Sequence, residues 1–227
     1  MRKRASHPAA PVAATRGAAM PDATDLPPCR TPAGEVYGRL HNRFLRLSGG
    51  EAECALEAAL TMLLRPGLRM LDAGCGPATV ARRLLTQEPA LALTLLDNDP
   101  RILAAVSDLP AMAVGGSLAD LPFADETFDI AFAFWSVETL ADPAAGVREL
   151  VRVTRPGGRV ALAFCARQRT ADLIDRLHQL GILLRRSGRF LDPDMVPAAL
   201  QAAGATRICG LHCRGPARAI MAQRIAP

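Results

Sequence analysis

Asp72, Gly74 and Gly76 occupy alternate positions in Leu71-Asp72-Ala73-Gly74-Cys75-Gly76, and a second aspartate, Asp97, stands 21 residues beyond Gly76. Glycine has no Cβ to hold a ligand away from the main chain, and a helix opening after such a turn presents unpaired N–H groups to it. An acidic side chain about twenty residues on, at the end of the next strand, can accept from both hydroxyls of a ribose. These residue types at this spacing describe a cradle for a nucleotide-like ligand. A nicotinamide dinucleotide would suit the glycine pair and Asp97, but the third glycine of G-x-G-x-x-G falls at Thr79.

Cysteine and histidine could supply other chemistry. Cys29, Cys54, Cys75, Cys165, Cys209 and Cys213 include no C-x-x-C pair, so reduced thiols and no metal site are expected. In Cys209-Gly210-Leu211-His212-Cys213, strand alternation puts Cys209, Leu211 and Cys213 on one face and His212 on the other. That arrangement favours buried small residues over zinc ligands.

The elements that must position these residues follow from apolar periodicity, which alternates between helix and strand. Leu56, Leu60, Leu63 and Leu64 share a helical face, and Arg65-Pro66-Gly67 stops that helix before a strand at 69–73. The helix after the glycines turns Val80, Leu84 and Leu85 inward, and 93–96 is the next strand. Asp99-Pro100 supplies an N-cap and a first-turn proline for a third helix. A short strand at 112–114 precedes a longer one at 128–134, apolar on both faces apart from Asp129 as a central parallel strand should be. After a helix between Asp142-Pro143 and Arg155, Pro156-Gly157-Gly158 turns the chain into a buried strand at 159–165. A helix over 170–184, another from Asp192-Pro193 through Leu200, and strands at 206–211 and 217–224 complete the series. The expected fold is α/β: a doubly wound, mostly parallel seven-stranded sheet with an antiparallel C-terminal hairpin.

Composition narrows the class further. Half of the 227 residues are apolar, enough for a full core, and no apolar run approaches the ~20 residues of a membrane span. The net charge is +5, but Arg2, Lys3, Arg4, Arg16 and Arg30 stand against only Asp22 and Asp25 in residues 1–34. The remainder is therefore close to balanced, unlike a nucleic-acid-binding surface. Residues 1–34, rich in Ala and Pro with few bulky apolar side chains, are expected to be a disordered tail, and 35–227 one domain. The tail lacks the continuous apolar core of a secretory signal, so a cytoplasmic location is expected.

Four blocks, in order, resemble the class I S-adenosylmethionine-dependent methyltransferases, particularly the small-molecule branch similar to ubiquinone and menaquinone methyltransferases. They are Leu71-Asp72-Ala73-Gly74-Cys75-Gly76, Leu95-Leu96-Asp97-Asn98-Asp99-Pro100, Leu121-Pro122-Phe123-Ala124-Asp125-Glu126-Thr127-Phe128-Asp129, and the run 150–158 ending Arg155-Pro156-Gly157-Gly158. The resemblance is strong over 67–164. It implies the Rossmann-like methyltransferase fold, S-adenosylmethionine as cofactor, and methyl transfer by in-line displacement to a small-molecule acceptor. It sets Asp72 against the ligand's ammonium, Gly74 and Gly76 against its methionyl and ribose parts, and Asp97 with Asn98 at the ribose. Ser117 and Leu118 fall in the adenine loop, and Trp135 on the pocket wall. Two positions depart from the family pattern. Ala78 stands where a third glycine is usual, tolerable if its φ stays negative, and Ser117 where an acid commonly meets the adenine amino group, a role Asp120 could take.

Ligands bind at the carboxyl ends of parallel strands, which brings Glu138, just after the fourth strand, to the acceptor side as a base or amine anchor. Relatives often carry histidine there. Tyr37 and His41 lie in the segment 35–66, which forms a lid in similar enzymes, and 166–191 is expected to be an acceptor-side insert. Cys165 ends the fifth strand beside the acceptor cavity. The expected partner is a small-molecule acceptor, lipid-like or aromatic, with no nucleic acid and no metal. The alternative is a binding or regulatory protein that keeps this fold with weak or no turnover.

Overall fold

The computed structural model describes residues 50–167, 189–213 and 215–225. The tail 1–34, Tyr37 and His41, and the helix expected over 170–184 lie outside the described residues, as do most of the lid and insert segments. The described elements are α1 (Gly50–Thr61), β1 (Arg69–Ala73), α2 (Thr79–Gln87), β2 (Ala92–Asp97), α3 (Pro100–Ala105), β3 (Met112–Gly115) and β4 (Phe128–Phe134). A single 3-10 turn (Val137–Thr139), α4 (Pro143–Val153), β5 (Thr154–Cys165), α5 (Met195–Ala202), β6 (Ala205–His212) and β7 (Ala217–Arg224) follow.

Seven strands form one sheet in the order β3-β2-β1-β4-β5-β7-β6. β1 to β5 pair in parallel, whereas β7 runs antiparallel to both β5 and β6. The strand order reverses between β1 and β4, which opens a crevice at their carboxyl ends. Strand alternation divides the core between the two faces. On β4, Ile130 and Phe132 pack with α1 and α2, while Ala131 and Ala133 pack with α4 and α5. Asp99 caps α3 by accepting from the Arg101 N–H at 2.9 Å, as Asp99-Pro100 predicts, and Asp142 caps α4 by accepting from Ala144.

The structure revises three expectations. β5 begins at Thr154, and Arg155-Pro156-Gly157-Gly158 is a bulge within it: Phe128 pairs with Thr154, and the ladder resumes with Ile130 and Arg159. Asp129, the one acid in β4, accepts from the Arg69 N–H at 2.9 Å and from the Arg155 guanidinium. Burial alone would raise its pKa, but these bonds hold it below the ordinary carboxylate range, so it braces the amino end of the sheet, away from the crevice. Among the cysteines, Cys54 forms a disulfide, against the expectation of reduced thiols throughout. Cys213 is exposed rather than packed, because a register shift between Gly210 and His212 interrupts the alternation of β6.

Candidate active site

The glycine turn sits in the crevice, tied to β2. Gly74 and Cys75 both donate to the Leu96 carbonyl, at 2.7 and 2.9 Å. The Gly76 N–H donates to Asp97 Oδ2 at 3.0 Å, and the Asp99 N–H to Oδ1 at 3.0 Å. Asp97 thus holds the turn in place while each oxygen keeps acceptor capacity for a ligand. The two glycines have different physical reasons. A Cβ on Gly74 would lie 2.6 Å from Ser136 Cβ, so this glycine admits the chain leaving β4, and Ser136 Oγ in turn donates to the Ala73 carbonyl at 3.0 Å. At Gly76, with φ +49°, a Cβ would meet nothing within 4 Å, so its open side faces free space where a ligand can approach the backbone.

Ala78 contradicts the condition under which its methyl was expected to be tolerated. Its φ is +53° and its ψ 36°, the left-handed conformation, at the N-cap of α2. The turn needs that conformation to hand the chain to the helix, and alanine adopts it at a cost of roughly 1–2 kcal/mol.

Asp72, at the inner end of β1, is buried. Burial first, then the charges of Asp97 and Glu53, raise its pKa to about 8, and no hydrogen bond or cation among the described residues lowers it. Glu53 comes from α1 and is not among the site residues expected from the sequence. An acid on an otherwise apolar helical stretch was the available signal. Its Oε1 accepts from Arg83 Nη2 at 2.9 Å and its Oε2 from the Trp135 indole N–H at 3.3 Å. Trp135 is half-buried, has φ +55°, and donates its main-chain N–H to the Ala163 carbonyl at 2.8 Å. A bulky residue in that region at a strand end is a strained feature of the kind that collects at ligand sites.

The residues that the resemblance sets in an adenine loop lie at the carboxyl end of β3. The exposed Ser117 accepts from the Ala119 N–H at 3.1 Å, Asp120 is exposed beside it, and Leu118 is buried with α4. Asn98 is exposed next to Asp97.

Glu138, in the 3-10 turn, is 3% exposed. Its Oε1 accepts from the Cys165 N–H at 3.2 Å, the Cys165 thiol bonds to the same carboxylate, and its Oε2 has no hydrogen-bond partner among the described residues. Burial raises its pKa to about 7, its own main-chain N–H and then the Cys165 bonds only partly opposing the rise. Burial and then the Glu138 charge push the Cys165 thiol up to about 12. Glu138 and Cys165 therefore meet at the carboxyl ends of β4 and β5, whereas Tyr37 and His41 are outside the described residues.

Residues 71–162 match the family model described as a methyltransferase domain. The chain is 30% identical over 174 residues to the malonyl-acyl-carrier-protein O-methyltransferase of Pectobacterium atrosepticum, covering 74% of this chain and 66% of that protein. It is 36% identical over 100 residues to a demethylmenaquinone methyltransferase of Corynebacterium glutamicum, covering 44% and 43%. It thus spans about half to two thirds of the length of the first curated relatives it matches. A solved S-adenosylmethionine-dependent methyltransferase of Thermotoga maritima, described as a possible histamine N-methyltransferase, shares the fold with a TM-score of 0.61 at 17% identity, covering 82% of this chain and 95% of that one. The crevice at the carboxyl ends of β1 and β4, the glycine turn bound to Asp97, and the matched domain lead to one conclusion: this chain belongs to the class I S-adenosylmethionine-dependent methyltransferases.

Proposed function

We propose that this chain transfers a methyl group from S-adenosylmethionine to a small-molecule acceptor in the cytoplasm. The observation that carries the reading is Asp72, a buried acid beside two further acids, Asp97 and Glu53, with no cation compensating it among the described residues. Such a site fits a ligand that brings its own positive charge, as an ammonium and a sulfonium do. Asp72 would hold the ammonium, and Gly74 and Gly76 would let the turn approach. Asp97 and Asn98 would meet the ribose, Ser117 and Leu118 the adenine, and Trp135 would wall the pocket. When bound, the cofactor supplies a methyl group already activated by its sulfonium. The protein's own work is to align the acceptor and exclude water.

On the acceptor side the proposed residues are Glu138, Tyr37 and His41. The name of the demethylmenaquinone relative supports a small-molecule acceptor; that the acceptor is lipid-like or aromatic, and that nucleic acid is not a partner, is our reading. No helix among the described residues is long and apolar enough to cross a membrane. The cytoplasmic placement accords with Cys75, Cys165 and Cys213 as unbridged thiols, while the Cys54 disulfide stands against it. Calorimetry with S-adenosylhomocysteine tests the core of the proposal. Wild type is expected to bind, and Asp97→Ala to bind at least ~10-fold more weakly, because it loses charged acceptor bonds and the tie to Gly76. No binding by wild type, or unchanged binding by the variant, overturns the reading.

A further inference from the structure

Glu138 Oε2 is the feature that the fold leaves unexplained. A buried carboxylate oxygen without a partner is costly, and native proteins keep few of them. The carboxyl is not a random intrusion, since the Cys165 main chain and thiol both donate to it. The fold also holds its main chain from both sides. The Glu138 carbonyl accepts from the Arg189 N–H at 3.2 Å, and Ser136, two residues earlier, packs against Gly74 of the cofactor turn. No cation offsets it among the described residues. Arg189 spends its guanidinium on the Leu140 and Ala141 carbonyls. On α4, which packs against this turn, Arg148 turns to Asp142, and Arg152 binds Glu149 and Asp125.

We propose that Glu138 Oε2 is the proton acceptor for the methyl acceptor and that, held by Cys165, it selects a neutral protic nucleophile, such as a phenolic hydroxyl or the ring carbon conjugated to it, against a carboxylate. This rests on the methyltransferase reading and deepens it. In the balanced step, the acceptor's O–H proton passes to Oε2 and the electron pair so freed, on oxygen or delocalised onto the conjugated ring carbon, forms the bond to the methyl carbon; after carbon attack the ring C–H proton is lost to solvent and the ring regains its aromaticity. The methyl–sulfur bond breaks with its pair going to sulfur, and Glu138 later returns the proton to solvent. An acceptor with its own carboxylate has no proton to give and brings a second negative charge to a buried one, which is strongly disfavoured. The two groups of relatives differ in this respect, since a malonyl group carries a free carboxylate and a demethylmenaquinone does not. The geometry assigns this chain to the second chemistry.

The experiment compares 1,4-naphthohydroquinone with a malonyl thioester as acceptors, and follows the Glu138 carboxyl by infrared difference titration in the absence of acceptor. A carboxyl band titrating near pH 7 that is missing in Glu138→Gln is expected. So is methylation of the hydroquinone with kcat rising as pH passes through that range, falling at least ~100-fold in Glu138→Gln. Cys165→Ala, which removes a donor to the charged carboxylate, should move both the band and the acid limb of the rate profile to higher pH. The proposal is overturned by an unchanged rate and profile in Glu138→Gln, by no shift in Cys165→Ala, by preference for the malonyl thioester, or by turnover of neither acceptor. Binding of S-adenosylhomocysteine, measured in parallel, separates these failures from failure of the methyltransferase reading itself.

Discussion

Ala78 shows how opposing residue-scale effects combine. Replacing a buried alanine by glycine ordinarily loses roughly 0.8 kcal/mol of methyl burial and a further 0.4–1 kcal/mol in backbone entropy. Here the left-handed φ of +53° returns about 1–2 kcal/mol when the Cβ is removed. Ala78→Gly should therefore be nearly neutral, within about 0.8 kcal/mol by denaturant unfolding. A loss above ~1.5 kcal/mol would show that the residue is not held in that conformation. The position was legible in the sequence as a departure from the family pattern, but its backbone angle was not, because a dihedral belongs to the turn as folded. The same holds for Glu53 and Glu138, whose residue types were in view while their burial and partners were not.

At the scale of elements, the junction of α4 and β5 shows why a glycine turn in sequence became a bulge in structure. Arg155-Pro156-Gly157-Gly158 looks like a turn, yet Thr154 already pairs with Phe128, so the strand begins before it. A Cβ on Gly158 would lie 2.6 Å from the Asp129 carbonyl oxygen and 2.8 Å from that of Arg155. Main chain cannot yield as a flexible side chain can. Gly158→Ala should cost about 2–3 kcal/mol, read as a lowered denaturation midpoint. If the midpoint is unchanged, the bulge is not packed as described. Strand and helix positions elsewhere were accessible from periodicity, because each element buries one or both faces in a fixed repeat, whereas pairing across the bulge depends on residues remote in sequence.

For the whole molecule, the buried acids at the crevice set a pH dependence of stability. Asp72 and Glu138 have folded pKa values raised to about 8 and about 7, above those of exposed carboxylates. Folding therefore takes up protons at both. Their stabilising contribution is complete below about pH 4 and is lost as pH rises through 7 and 8. Asp129, held low, has the opposite sign, and its contribution is lost as pH falls into the acid range. Unliganded Asp72→Asn should accordingly be more stable than wild type at pH 9, by at least ~1–2 kcal/mol, with the difference vanishing near pH 4. Paired thermal melts across that range check the sign, and a constant difference would refute the assignment to Asp72. A cationic ligand reverses the cost by giving the ionised Asp72 a partner, so the site is strained until filled.

The sequence by itself determined the class of fold, the glycine turn with Asp97, and the family, because these rest on local periodicity and on residues close together along the chain. Only the tertiary structure decided that Gly74 serves the chain leaving β4 while Gly76 faces open space. It also decided that Glu53 reaches from α1 to Trp135 and Arg83, and that Glu138 meets Cys165 with one oxygen unpaired among the described residues. Those are contacts between distant segments, and their energies depend on burial, which residue type and spacing do not specify.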